Sequence, residues 1–314
     1  MAASTSKTRY GIHEWFGKPV SELTKVERNN YLKAAVNKNT SLHPCPFAAA
    51  LTREATCSKP GGVCTLRKYE SVGGGQVAVS ADPPVTVCPQ RFLQNLELLR
   101  WAGDVMLQTR HPIAIKEIPF LAKLDKDDAA EGEGKKAGRI DWVLVHPDTG
   151  TALRWCAIET QAVYFSGRSM NSEFENWAGA KPGLMPFPAE TRRPDYRSSG
   201  PKRLAPQLQV KVPELRNWGA KTAVIVDEFF FNQMSELREL RGAQADRLAN
   251  ADVVWLVAKY ENHKLVPSKT VFARLDDSIR ALNATRPVGK TAFEEEIHHN
   301  LLDAKKAGRR VFRL

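Results

Sequence analysis

The sequence has few of the features of a membrane or secreted protein. No apolar run approaches the roughly 18 residues that a membrane-spanning helix needs, and the run that ends at Phe231 is much shorter. The opening residues, MAASTSKTRYGIHEWFG, contain no apolar core of the kind found in secretory signals. We therefore expect a cytoplasmic protein with no membrane span.

Acidic residues are scarce relative to basic ones. The chain has 46 Lys and Arg residues against 35 Asp and Glu residues, which gives a formal net charge of +11. This surplus favours an anionic partner such as nucleic acid, an acidic lipid or a polyphosphate, although solubility alone is an alternative explanation. The 42% of hydrophobic residues is enough for a sizeable core and excludes a wholly disordered chain.

Cysteine is rare outside one stretch of the sequence. Cys45, Cys57, Cys64 and Cys88 lie in a segment rich in glycine and proline, whereas Cys156 lies apart in an apolar, strand-like run. Disulfides are not expected in a reducing compartment. Four thiolates suit a tetrahedral iron or zinc ion equally well. Because no pair has the two-residue spacing of a zinc knuckle, unliganded core thiols are the alternative.

The pattern of apolar residues predicts a mixed α/β protein with one compact sheet between helices. Helices are predicted within 1–40 and at 91–101, 208–218, 234–248 and 292–307, and strands at 112–121, 140–145, 153–165, 222–231 and 252–260. Loops are predicted at 41–90 and 125–138, and an extended basic segment at 181–206. We divide the chain into an N-terminal region of helices and cysteine-bearing loops, 1–90, and a core, 91–314.

Two carboxylates interrupt strongly apolar strands. Asp141 lies in RIDWVLV and Glu159 in AIETQA, on either side of a turn centred near Gly150. An antiparallel hairpin would place them nearly opposite each other, with Cβ atoms about 5 Å apart, where both could bind a hard cation such as Mg²⁺. The alternative is that Asp141 caps a strand end and Glu159 pairs with a surface arginine.

A third carboxylate could complete such a site. Glu117 lies on the preceding strand, and Glu97 faces out from the helix that precedes it. We favour Glu117 because it can belong to the same sheet as the hairpin.

A basic stretch follows the second of these strands. Its cations are Arg192, Arg193, Arg197, Lys202, Arg203 and Lys211. Clustered cations suit contacts with DNA phosphates, and Gln207 and Gln209 are candidates for reading bases. The alternative is a solvated basic face.

An Asp followed by Glu-x-Lys on the next strand is the signature of the PD-(D/E)xK nucleases, and here Gln161 stands at the lysine position. More specifically, the chain resembles the NotI-type restriction endonuclease family over roughly residues 10–260. The segments that carry the resemblance are YGIHEWFG, CPF, CPQRF, IDWVLV, ETQ and SSGPKRLAPQL, which begin at Tyr10, Cys45, Cys88, Ile140, Glu159 and Ser198.

The resemblance implies a fold class and a function. The fold is a PD-(D/E)xK restriction-endonuclease-like mixed sheet flanked by helices, with an N-terminal four-cysteine region that holds one structural iron. The activity is dimeric, Mg²⁺-dependent cleavage of double-stranded DNA at a palindromic, GC-rich site in a prokaryote, with a companion DNA methyltransferase encoded separately. Carried over by motif, Asp141 and Glu159 bind the metal and Gln161 occupies the lysine position, while Glu117 is an added acid.

Two other functions fit part of the sequence. A non-catalytic, metal-stabilised DNA-binding protein would explain the charge and the cysteines, but not two acids on paired apolar strands. A repair nuclease of the same fold would cut damaged or branched DNA instead of a fixed sequence.

Overall fold

The computed structural model of the protein describes residues 7–37, 43–52, 54–72, 76–122, 136–148, 150, 152–181, 184–284 and 288–302. Its strands are β1 (Thr8–Trp15), β2 (Lys18–Pro19), β3 (Val63–Ser71), β4 (Val77–Val79), β5 (Val85–Thr86), β6 (Ile113–Ala122), β7 (Lys136–Val145), β8 (Trp155–Thr160), β9 (Tyr164–Ser166), β10 (Arg193–Asp195), β11 (Lys221–Asp227), β12 (Val253–Glu261) and β13 (Lys264–Ala273). Its α-helices are α1 (Lys25–Val36), α2 (Glu97–Leu107), α3 (Asn171–Gly179), α4 (Tyr196–Ser199), α5 (Ala205–Asn217), α6 (Glu228–Gln233), α7 (Gln244–Asn250), α8 (Leu275–Asn283) and α9 (Lys290–Leu302). No helix within these ranges is long and apolar enough to cross a membrane.

The main sheet has the spatial order β13-β12-β11-β8-β7-β6. Strand β11 runs parallel to β8 and to β12, whereas β6–β7, β7–β8 and β12–β13 are antiparallel pairs. The predicted mixed α/β class is confirmed, whereas the prediction of a single sheet is wrong, because further strands form separate antiparallel sheets.

The main sheet is covered on both faces at its central strand β11. Val224 packs in one core cluster with Leu208 of α5, while its neighbour Ile225 packs in another with Leu99 of α2. Successive side chains of a strand point to opposite faces. A strand that is buried on both faces is therefore apolar throughout, which is why this strand could be predicted from the sequence.

A second, antiparallel sheet forms where the sequence predicted helices and loops. Its order is β2-β1-β3-β4, with β5 also paired to β3. Within the described part of 1–40, the helical residues are those of α1 and of one 3-10 turn, Val20–Glu22. Strand β1 is buried along both faces from Gly11 to Trp15, so it lacks the simple alternation that marks a half-exposed strand.

Other predicted elements are shorter or differ in type. The apolar run predicted as one strand at 222–231 ends at Asp227, whose side chain caps α6 by accepting a hydrogen bond from the Phe230 N–H at 2.8 Å. The helix predicted at 234–248 is confined to α7, because the preceding segment instead donates from the Leu240 N–H to the Phe272 carbonyl at 2.8 Å. Strand β13 follows the strand that we expected to be last.

The segment predicted to be extended at 181–206 becomes helical from Tyr196 onward. The Asp195 carboxylate accepts from the backbone N–H of Ser198 and so caps α4. The loop predicted at 125–138 lies outside the described residues except for its last three, which begin β7. The end of the helix predicted at 292–307 also lies outside them beyond Leu302.

The chain divides into two compact units, Met1–Asn283 and Ala284–Leu314. Residues on both sides of position 90 belong to the first unit, in which Trp15 of β1 and Trp255 of β12 share one hydrophobic core. In the second unit, the structure describes α9, whose apolar side chains are exposed.

Candidate active site

The hairpin of β7 and β8 aligns the two predicted acids. Trp142 pairs with Ile158, Val143 with Ala157 and Leu144 with Cys156. One step further in this register places Asp141 opposite Glu159, as predicted from the turn near Gly150. Residues directly opposite each other share a face of the sheet.

Strand β6 adds a third acid to the same row. Lys116 pairs with Trp142, and Ile118 pairs with Ile140, so Glu117 lies opposite Asp141. We call Glu117, Asp141 and Glu159 the acidic row. Glu117 has a φ of +55°, a left-handed conformation that is uncommon for a residue other than glycine.

The side chain of Glu117 is half-exposed and paired with cations. Its carboxylate meets the Lys116 ammonium at 2.8 Å and the Arg139 guanidinium at 2.9 Å. Glu97, the alternative third acid and the first residue of α2, instead pairs with Arg110 beyond the end of that helix, at 2.9 Å, and does not line the cavity that contains the acidic row. The structure therefore brings Glu117 to the row and leaves Glu97 outside it.

Asp141 is held by the residue that follows Glu159. One carboxylate oxygen, Oδ2, accepts hydrogen bonds from the backbone N–H and from the hydroxyl of Thr160, both at 2.9 Å. Because Thr160 ends β8, the strand that carries one acid also orients the other.

Glu159 is buried and forms an ion pair with a lysine from α5. The Lys211 Nζ donates to Glu159 Oε1 at 2.7 Å, and the exposed fractions of the two side chains are 5% and 3%. Burial, the largest cause, and the negative charge of Asp141 together raise the pKa of Glu159 to about 7, although the Lys211 ammonium opposes both effects. Sequence reasoning placed Lys211 among the DNA-contacting cations, and its burial beside Glu159 corrects that prediction.

The acidic row opens into a cavity of about 480 Å³. Gln161, Lys116, Arg203 and Gln207 also line this cavity. The Gln161 Nε2 donates to the Ala162 carbonyl at 2.6 Å, so the amide oxygen is the end of the side chain suited to accept from a water. The cavity thus combines carboxylates with cations, which suits a phosphate bound next to a metal ion.

The donor set of the cavity fits a hard divalent cation. Two adjacent carboxylates, Asp141 and Glu159, are the ligand type that Mg²⁺ prefers, and Mg²⁺ usually keeps several waters and takes only one or two carboxylates. Within the described ranges, no group of three or more His, Cys, Asp or Glu side chains is arranged to hold a metal ion.

The four clustered cysteines converge on a second, much smaller cavity. Cys45, Cys57, Cys64 and Cys88 all line it, and all four are buried. Burial raises the pKa of Cys57, of Cys64 and of Cys88, the last to about 11, and neighbouring thiols raise these pKa values further. Cys156 is buried in β8, away from this cavity.

Two glycines form the turn between Cys57 and Cys64. Gly61 and Gly62 have φ values of +74° and +71°, and a Cβ atom on Gly62 would lie 2.3 Å from the Phe16 ring. Only glycine fits here without strain. The backbone is therefore built to bring these two thiols together.

The predicted DNA-contacting residues fall into two groups. Arg192 is buried, pairs with the Glu173 carboxylate and donates to the carbonyls of Arg168 and Ser169, so its burial contradicts the predicted phosphate contact. The side chains that are exposed are those of Arg193, Arg197, Lys202, Arg203, Gln207 and Gln209. Arg203 lies over the ring of Tyr164, with 4.0 Å between its Cζ and the ring centroid.

Comparison with protein families gives a match to the family described as restriction endonuclease NotI, over residues 30–269. The match contains both the four cysteines and the acidic row. A comparison with curated proteins gives no match. The matched segment covers well over half of the 314 residues. The chain therefore belongs to the NotI restriction endonuclease family.

Proposed function

We propose that this restriction endonuclease is a Mg²⁺-dependent type II enzyme that hydrolyses phosphodiester bonds of double-stranded DNA, with a PD-(D/E)xK active site. The observation that carries the proposal is the acidic row, in which Asp141 and Glu159 lie opposite each other at the edge of one cavity. The family resemblance implies the finer features, which are a homodimer and a palindromic, GC-rich recognition site.

Asp141 and Glu159 would hold the metal ion, and Glu117 lies next in the row. When bound, Mg²⁺ supplies positive charge to the phosphate and lowers the pKa of a water. Thr160 keeps the Asp141 carboxylate oriented through its two hydrogen bonds. Gln161 orients the attacking water by accepting a hydrogen bond at Oε1, since its Nε2 is bonded to the Ala162 carbonyl.

Cations around the cavity bind the DNA backbone. Lys116 and Arg203 line the cavity itself, and Lys202 is exposed next to Arg203 on the helical segment Gly200–Leu204 that leads into α5. Arg193 is exposed on β10. Binding through such contacts weakens steeply as salt rises.

The cysteine cavity holds one structural metal ion, iron or zinc. Four thiolates leave no open coordination position, which is the pattern of a structural site. The four thiols line one cavity but are not arranged as a ligand set, so they would have to move closer together to hold an ion. They would then link the segment that contains Cys45 and Cys57 to β3 and to the start of the helical segment Pro89–Leu96.

Incubation of the full chain with plasmid and bacteriophage DNA in Mg²⁺ tests the proposal. Discrete fragments whose ends share one palindrome are expected. A non-catalytic binding protein would give no fragments, and a repair nuclease would give ends set by damage or branching. Either of those results would overturn the proposal.

Single variants assign the chemistry to the acidic row. Asp141→Ala and Glu159→Ala should each abolish cleavage while Ca²⁺-supported DNA binding persists. Glu97→Ala is the matched control, because this acid pairs with Arg110 outside the cavity, and it should cut at the wild-type rate. Cleavage by both row variants would refute the assignment.

A further inference from the structure

Lys211 lies inside the core although the position favours an apolar residue. It belongs to the buried side of α5, together with Leu208, Val212 and Leu215. Its ammonium donates to Glu159 Oε1 at 2.7 Å and to Gln207 Oε1 at 3.1 Å. Replacement of a buried ion pair by apolar side chains is often neutral or even stabilising, so stability does not account for a lysine at this position.

The active-site strand itself carries no lysine at the position where the Glu-x-Lys pattern has one. Gln161 occupies it, and a neutral amide cannot supply the charge of an ammonium. Lys211 brings an ammonium to the neighbouring acid of the same strand from a different element. Glu159 and Gln207, which accept hydrogen bonds from Lys211, both line the cavity. The Lys211 ammonium therefore lies directly behind the wall of the cavity.

We propose that Lys211 is a positioning residue of the active site, which fixes the Glu159 carboxylate and supplies the positive charge that Gln161 cannot. This inference rests on the proposed nuclease function. Gln207 lies one turn before Lys211 on α5, and its amide oxygen holds the ammonium in place. The helix thus contributes a pair, Gln-x-x-x-Lys, that belongs to the site and not to the DNA-contacting surface.

The local packing keeps the ammonium in this position. Leu208 and Val212 lie in the same core cluster as Val224 of β11, the strand that pairs with β8 through Val224 and Glu159. Helix α5 is therefore fixed against the strand next to the one that carries Glu159. The side chain of Lys211 reaches the carboxylate with no freedom to turn toward solvent, since its exposed fraction is 5%.

Moving the positive charge from Lys211 to another residue of the site distinguishes a positioning role from a purely structural one. Lys211→Met removes the charge and nearly keeps the length of the side chain, and the double variant Lys211→Met with Gln161→Lys restores an ammonium from the residue that directly follows β8. Lys221→Met is the matched control, because Lys221 lies on β11 and donates to the carbonyls of Ala249 and Ala251.

Three measurements are made on each variant: kcat and KM with a cognate DNA duplex in Mg²⁺, DNA affinity in Ca²⁺, and the melting temperature. Lys211→Met should lower kcat by about 100-fold, as expected when one charge-stabilising donor is lost, with KM and DNA affinity within about threefold of wild type. The double variant should have a kcat at least about tenfold higher than that of Lys211→Met. Restored packing of α5 cannot explain such a gain, because the second substitution lies outside that helix.

The possible results distinguish a failure of the inference about Lys211 from a failure of the proposed nuclease function. If the wild-type chain cuts DNA and Lys211→Met cuts with the same kcat, the inference is wrong and the proposed function stands. If kcat falls only in proportion to a lower folded fraction, and Gln161→Lys restores nothing, Lys211 is structural and the inference is again wrong. If the wild-type chain cuts no DNA, the proposed function fails, and the inference fails with it.

Discussion

Thr160 donates both its backbone N–H and its hydroxyl to a single oxygen of Asp141, at 2.9 Å in each case. Thr160 immediately follows Glu159 on β8, so the residue that orients one acid of the proposed site is the chain neighbour of the other. The other oxygen of Asp141 is thereby fixed in direction relative to Glu159. This relationship holds the Asp141 carboxylate in place beside Glu159.

Thr160→Val should therefore weaken catalysis without disturbing the fold. Valine has nearly the same shape but no hydroxyl, so Asp141 keeps one of its two hydrogen bonds. Loss of a partner that orients a metal-binding carboxylate typically costs about 10- to 100-fold in metal affinity or activity. Steady-state cleavage rates measured across a Mg²⁺ titration check this. Thr160→Ser, which keeps the hydroxyl, is the control, and equal rates for the valine and serine variants would contradict the assigned role.

The hairpin could be predicted from the sequence because its apolar runs and its turn are local signals. The pattern around Asp141 and Glu159, with a turn near Gly150, was enough to place the two acids opposite each other. Glu117 could be favoured over Glu97 on the same grounds. Glu117 lies on a predicted strand, which can join the sheet, whereas Glu97 lies on a predicted helix. These inferences need only the two-residue periodicity of strands.

Lys211 and Arg192 could not be assigned in this way. Both appeared as members of one basic stretch, and the sequence gives no sign that each meets a distant acid. The partner of Lys211 is 52 residues away, and that of Arg192 is 19 residues away. Only the packing of α5 and α3 brings these charges to Glu159 and Glu173. The one local signal was that Lys211 shares the spacing of Leu208 and Leu215 on the buried side of a helix.

The exposed cations Lys202 and Arg203 and the buried Arg192 should differ in their effect on the salt dependence of DNA binding. A double neutralisation, Lys202→Gln with Arg203→Gln, removes two exposed cations next to the cavity and should reduce the slope of log affinity against log salt by about two. Fluorescence anisotropy with a DNA duplex in Ca²⁺ at several salt concentrations measures this slope. An unchanged slope would count against phosphate contacts at these residues.

Arg192→Met provides the contrasting case. Removal of one partner of a buried ion pair leaves the Glu173 carboxylate unpaired, which typically costs about 3–5 kcal/mol of stability. The melting temperature should therefore fall while the salt slope of the folded fraction stays at the wild-type value. A lower slope of log affinity against log salt, with an unchanged melting temperature, would show instead that Arg192 contacts DNA.

The cysteine cavity should lose its metal when one thiol is removed. Cys57→Ser and Cys64→Ser should each lower the metal content and the melting temperature together, because structural metal sites contribute directly to folding free energy. Elemental analysis of protein purified without added metal measures the content and identifies iron or zinc. Cys156→Ala is the control and should keep the full metal content. Loss of metal with unchanged folding and cleavage would show that the ion does not brace the fold.

His13 should make the folded state sensitive to acid. His13 lies on β1, and its side chain is buried against the turn that contains His263. The distance between the His13 Nε2 and the His263 Nδ1 is 3.3 Å. Burial, the largest cause, and the nearby Arg67, His263 and Arg91 side chains together lower the pKa of His13 from 6.5 to about 3. Below pH 6.5 the unfolded chain therefore binds a proton that the folded chain does not, so stability falls as the pH drops from about 6.5 toward 3. At pH 5 this group alone should cost about 2 kcal/mol relative to pH 7.

Urea unfolding of wild type and His13→Gln at pH 7 and pH 5 isolates this contribution. Other groups also respond to acid, including the cysteine cavity if it holds a metal, but they respond equally in both proteins. The difference between the two pH values should be about 2 kcal/mol smaller in His13→Gln than in wild type. His111→Gln, at an exposed histidine, should leave that difference unchanged. If His13→Gln keeps the full wild-type dependence on pH, the buried neutral histidine is not a source of acid sensitivity.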